Sequence, residues 1–189
     1  MADDSITTAA KAALSVWTPD IATIMVAIAG AESGWNPKAG GDSPEYLVSI
    51  GAYQTASLAR SYHCPPEEPT GPASWGLWQI FMPYHLDKLA ALGAPMDNPC
   101  ATASWLMDPY NNAKAADAVY KSQGLDAWTV YKNGSYKIHL AVAETAVKQI
   151  IASNTNNTLS NTRVSGLGMT IPFLALTGSG LYLWYRTKR

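Results

Sequence analysis

The chain has 189 residues and a formal net charge of −1, from 13 Lys+Arg against 14 Asp+Glu. A balance this neutral excludes the electrostatic footprint of a nucleic-acid binder, and 48% hydrophobic residues exclude a chain that is disordered throughout. Charged residues make up only 14%, against about 25% in an average soluble protein, and Trp 7 and Tyr 10 against Phe 2 favour rings with a polar edge, suited to sugar clefts and membrane interfaces.

Met1-Ala2-Asp3-Asp4-Ser5 puts acids where a secretory signal carries cations, and no apolar run follows, so the N-terminus does not read as a signal peptide. Residues 9–17 have helical composition. Thr18-Pro19-Asp20 then starts a second helix, with Thr18 as N-cap, Pro19 in the first turn and Asp20 near the positive dipole end. Ile21, Ile24, Met25, Ile28 and Ala29 follow at i, i+3, i+4, i+7, i+8 spacing, one apolar stripe. The helix should close near Glu32-Ser33, with Gly34 as the left-handed stop and Pro37 beyond it. Residues 36–74 are rich in Gly, Pro and Ser and read as a long irregular insert, with a short strand around 46–53. Helices are expected at 84–92, closed by Gly93, at 99–107, and at 109–123, where Asp108-Pro109 repeats the cap signal and Gly124 ends the run. Asp126 to Tyr131 reads as helical, and Tyr136 to Ala152 as a long amphipathic helix using Ile138, Val142, Val147 and Ile150.

The expected organisation is mainly α. A helical domain spans 1–152, a flexible polar linker 153–163, a single hydrophobic helix 164–185 and a basic tail 186–189. The stretch Val164 to Tyr185 carries no charge over some 22 residues, about 33 Å of helix, enough to cross a bilayer core. Tyr182, Trp184 and Tyr185 sit where an interfacial aromatic belt would, and Arg186, Lys188 and Arg189 follow, against one preceding basic residue, Arg163. That asymmetry favours a cytoplasmic C-terminus. The alternative is a tail packed on the domain or on another subunit. Cys64 and Cys100, both beside prolines, are either free thiols or one bridge, worth roughly 3–4 kcal/mol by loop entropy and requiring an oxidising compartment.

Glu32 is the most informative carboxylate. At the C-terminal end of an apolar helix, beside Gly34-Trp35, partial burial and the negative dipole end should both raise its pKa, as a general acid requires. Asp42, Glu45, Glu67 and Glu68 all lie in the insert, and none is singled out as a second catalytic carboxylate. Trp35, Trp75, Trp78 and Trp128 suit either pyranose stacking or core packing. His63, His85 and His139 are scattered, and neither a metal site nor a cofactor is expected.

Four patches occur in order: Ala31-Glu32-Ser33-Gly34-Trp35-Asn36-Pro37, Gly76-Leu77-Trp78-Gln79-Ile80, Asp108-Pro109-Tyr110-Asn111-Asn112-Ala113, and Trp128-Thr129-Val130-Tyr131-Lys132-Asn133-Gly134. Over residues 15–150 this succession resembles the lysozyme-like family of soluble lytic transglycosylases and goose-type lysozymes, most of all the versions found in phage virion proteins. The resemblance implies a lysozyme-like helical fold and cleavage of the MurNAc–GlcNAc β-1,4 bond of peptidoglycan. It implies that Glu32 is the single catalytic acid and Ser33 helps orient the substrate's N-acetyl group. Trp78 and Gln79 then belong to the cleft, Asn112 to the third motif, and Tyr131 is the late tyrosine near the acid. Trp78 stands where the family usually has methionine, Ala116 where it often has glycine, and Lys132 where asparagine follows the tyrosine. One carboxylate suffices if the N-acetyl group stabilises the developing cation and the muramyl C6 hydroxyl closes an anhydro ring. A second carboxylate, as base or nucleophile, could come from the insert, so inverting hydrolysis stays open. The expected partners are glycan strands, a membrane through residues 164–185, and other virion proteins, with localisation in a virion or the host envelope. A non-catalytic wall-binding or structural module on the same fold is the alternative.

Overall fold

The computed structural model describes residues 2–41, 49 and 73–165. The described chain is mainly helical. Seven α-helices are named here in order: α1 Ala2–Leu14, α2 Pro19–Ser33, α3 Leu86–Ala91, α4 Pro99–Leu106, α5 Pro109–Gln123, α6 Thr129–Lys132 and α7 Leu140–Ser165. Single 3-10 turns cover Met82–Tyr84, Leu125–Ala127 and Ser135–His139. Three two-residue strands, β1 Gly40–Gly41, β2 Ser74–Trp75 and β3 Ile80–Phe81, form an antiparallel sheet in the order β1-β2-β3. Gly40 pairs with Trp75 and Gly41 with Ser74; Ser74 pairs with Phe81 and Trp75 with Ile80. Residues 76–79 are therefore the tip of a tight hairpin.

The chain divides into two units, Met1–Ser153 and Asn154–Arg189. Within the first, α2 is the central helix. Ala22, Met25, Val26, Ala27, Ile28, Ala29 and Gly30 are all buried, and Ile21 and Ile24 are partly so. This is more than the single stripe expected, because α1, the turn Ser135–His139 and α6 pack around it. A helix enclosed on several sides is apolar nearly all round. The small residues Ala9, Ala10, Ala12 and Ala13 of α1 are fully buried, which lets two helix backbones approach closely.

Local chemistry explains where the helices begin and end. Asp108 Oδ1 accepts from the backbone N–H groups of Tyr110 (3.0 Å) and Asn111 (2.9 Å), and Pro109 follows in the first turn. Asn98 caps α4 through its side chain to Cys100 N–H at 2.8 Å. Thr18 occupies the N-cap of α2 in an extended conformation but makes no side-chain cap bond; Pro19 and Asp20 accompany the start. At the far end Gly34, at φ 59°, donates its N–H to Ala29 O and Gly30 O, and Trp35 N–H returns to Ala29 O at 3.3 Å. That left-handed closure holds Glu32 and Ser33 in the last turn.

Three expectations change. The first helix occupies Ala2–Leu14 rather than 9–17. In the C-terminal helix the buried face is Ala143, Ala146, Val147 and Ile150, at i, i+3, i+4, i+7. Ile138 and Val142 are exposed: Ile138 falls in the 3-10 turn before Leu140, and Val142 lies about 90° round the helix from the buried stripe. Residues 153–163 are helical, since α7 runs to Ser165; polar composition argued for a linker, but no Gly or Pro interrupts residues 140–165. Cys100 is disulfide-bonded. No helix among the described residues is long and apolar enough to cross a membrane. The apolar segment from 166 onward lies outside the described residues. So do Cys64, His63, Asp42, Glu45, Glu67, Glu68 and almost all of the strand expected at 46–53.

Candidate functional site

A cleft of about 530 Å³ opens where four parts of the first unit converge. The last turn of α2 contributes Glu32; the hairpin contributes Ser74 and residues 78–81; His85 follows the hairpin. The C-terminal half of α5 adds Val119 and Gln123, and residues 127–130 complete the wall. Among the described lining residues Glu32 is the only acid. It is half-buried, in the last turn of α2.

Gln79 lines the same cleft, at φ 46°. A non-glycine residue in the left-handed region carries a strain of roughly 1–2 kcal/mol, so the surroundings must hold it there. They do so through its own amide: Nε2 donates to Gly76 O at 2.9 Å and to Ala39 O at 3.2 Å. Gly41 must stay bare for this, since a Cβ there would stand 2.5 Å from Gln79 Oε1. β1, β2 and Gln79 are thereby one rigid corner of the cleft.

Trp78 is fully buried. Its indole Nε1 donates to Met25 O at 2.8 Å, and its ring meets Trp17 edge-on with centroids 5.3 Å apart. Its carbonyl accepts from Trp128 Nε1 at 3.0 Å. Trp75 and Trp128 are also buried, and half-buried Trp35 packs edge-on against His139 at 5.1 Å while donating to Val26 O at 2.9 Å. Trp78 and Trp128 belong to the cleft lining, whereas Trp35 and Trp75 do not. The aromatic surface that reaches its edge is instead Phe81, half-buried and set edge-on to the exposed Tyr84 at 4.7 Å.

Ser33, Asn112 and Tyr131 lie outside the lining of the cleft. Ser33 Oγ stands 2.9 Å from both Ala29 O and Leu77 O, so its one proton fastens the hairpin tip to the end of α2. Asn112 is fully buried: Oδ1 accepts from Trp78 N–H at 3.0 Å and Nδ2 donates to Trp75 O at 2.9 Å. It grips the hairpin from α5. Tyr131, half-buried on α6, packs its ring against Tyr136 with centroids 5.0 Å apart, one residue beyond Val130, which does line the cleft. The structure thus brings Glu32, Trp78 and Gln79 into the lining of one cleft and gives Ser33 and Asn112 bonds that hold the hairpin beside it.

Sequence reasoning passed over Phe81, His85 and Gln123. Burial, and then the nearby Lys88 ammonium, hold the pKa of His85 below the ordinary 6.5, and its Nδ1 is buried without a hydrogen-bond partner. No group of three His, Cys, Asp or Glu side chains among the described residues is placed to hold a metal ion. Comparison with family models, with curated proteins and with solved structures returns no match for this chain.

Proposed function

We propose that this protein is a peptidoglycan-degrading enzyme that cleaves the MurNAc–GlcNAc β-1,4 bond, with Glu32 as general acid. The observation that carries the reading is the joint presence of Glu32 and Gln79 in the lining of one cleft, each delivered by a separate sequence patch, with the two patches joined by the Ser33 bond to Leu77 O. A single acid among the described lining residues fits a mechanism in which the substrate supplies the second group. Glu32 protonates the glycosidic oxygen as the bond to the anomeric carbon breaks. The N-acetyl group stabilises the resulting positive charge. The ionised Glu32 then accepts the proton of the C6 hydroxyl as that oxygen closes the anhydro ring. The same acid gives and takes one proton, so the cycle balances.

The order of the four patches supports a lysozyme-like fold, and the uncharged stretch from Val164 to Tyr185 supports membrane insertion by the C-terminus. Together they support a virion-associated muralytic role in phage entry or lysis. Mass spectrometry of wall digests tests the reading. Wild type should release anhydro-muropeptides, and Glu32→Gln should release none while still sedimenting with insoluble wall. Products bearing reducing ends would make the enzyme a hydrolase. Wall binding without soluble products from the wild type would leave only a binding module.

A further inference from the structure

His85 joins the 3-10 turn Met82–Tyr84 to α3, and it lines the same cleft as Glu32. Two conditions act on the imidazole. Burial and the Lys88 ammonium keep it neutral at neutral pH, so it bears one N–H and one lone pair. Nδ1 is shut away from solvent with no partner in reach. A proton on Nδ1 would be an orphaned buried donor, and such donors are rarer than under-satisfied acceptors. The proton therefore belongs on Nε2, which is not among the buried unpaired atoms.

We propose that His85 is a substrate-binding residue whose Nε2–H is an uncharged hydrogen-bond donor on the cleft wall, directed at a neutral oxygen acceptor such as the N-acetyl carbonyl or a hydroxyl of an amino sugar. The proposal rests on reading the cleft as a glycan site. Its chemistry suits that site. An uncharged donor grips a carbonyl without adding a cation to the cleft, whereas an imidazolium would favour the ionised form of Glu32 and weaken it as an acid. The Lys88 ammonium on α3 is the charge that bears on this ring, and Glu32 lines the same cleft.

The test uses the full chain, a soluble tetramer of N-acetylglucosamine as probe, and the variants His85→Leu and His85→Gln. Loss of one neutral hydrogen bond should weaken tetramer binding roughly three- to tenfold in His85→Leu. His85→Gln, which keeps an N–H near the Nε2 position, should bind nearly as the wild type does. On wall fragments the loss should fall on KM, with kcat within about twofold. Nitrogen-15 NMR of the imidazole at pH 7 should show the proton on Nε2. Equal binding by wild type and both variants overturns the inference, as does a proton on Nδ1. The two readings separate cleanly. Glu32-dependent cleavage with His85-independent binding removes the His85 inference alone. His85-dependent binding without any cleavage removes the enzymatic reading alone. A wild type that neither binds nor cleaves removes both.

Discussion

Asn112 has no solvent exposure, and its amide joins Trp78 N–H to Trp75 O across the hairpin. Removing it leaves the buried Trp78 N–H without its acceptor, at about 1–3 kcal/mol, while Trp75 stays paired with Ile80 in the sheet. Asn112→Ala should therefore lower unfolding free energy by roughly 1–3 kcal/mol, read as a lower urea midpoint at unchanged slope. An effect under about 0.5 kcal/mol, the range of an ordinary surface substitution, would show that the hairpin is held by other means. The same residue shows how sequence reading reaches a site and misreads its parts. Asparagine at a helix start beside an aromatic patch is visible in the string, but whether its amide faces substrate or backbone depends on the burial of Trp75 and Trp78, which spacing does not encode. His85 is the converse case. Its value lies in an unpaired Nδ1 and a lowered pKa, both products of tertiary packing.

Among the elements, α2 and the segments around it set the geometry of the acid. Gly30 lies in the buried part of that helix, and a Cβ there would stand 2.7 Å from Trp35 Cζ2 and 2.9 Å from His139 Cγ. The Trp35 ring is held by its bond to Val26 O and its left-handed backbone at φ 61°, and it packs edge-on against His139. Gly30→Ala should cost about 1–3 kcal/mol through overpacking, despite the better helix propensity of alanine. A thermal midpoint at or above that of the wild type would contradict this. The helix ends themselves were legible, because Pro19, Gly34, Asp108, Pro109 and Gly124 act locally. The irregular parts were less so. Residues 125–139 break into two 3-10 turns and the short α6, for which no single residue is a sufficient signal. The continuation of α7 through 153–163 shows that an Asn- and Thr-rich run remains helical when nothing interrupts the backbone ladder.

For the whole molecule, the neutral imidazole links stability to pH. The pKa of His85 is lower folded than its unfolded value of 6.5, so the unfolded chain binds more protons below that value. The contribution is complete above about pH 6.5 and is lost as pH falls through the lower folded value. Melting curves at pH 7.5 and pH 5 should show a larger fall for the wild type than for His85→Gln; parallel falls would exclude the linkage. The cleft depends on the whole molecule in the same sense, since its walls come from residues nearly 100 positions apart, from Glu32 to Val130. The most direct measurement is the initial rate of clearing of a cell-wall suspension by wild type and Glu32→Gln, each shown by circular dichroism and melting to be equally folded. The account predicts clearing by the wild type and a loss of at least about a hundredfold in the variant, the lower range for a general acid. Clearing by the folded variant at the wild-type rate would contradict it.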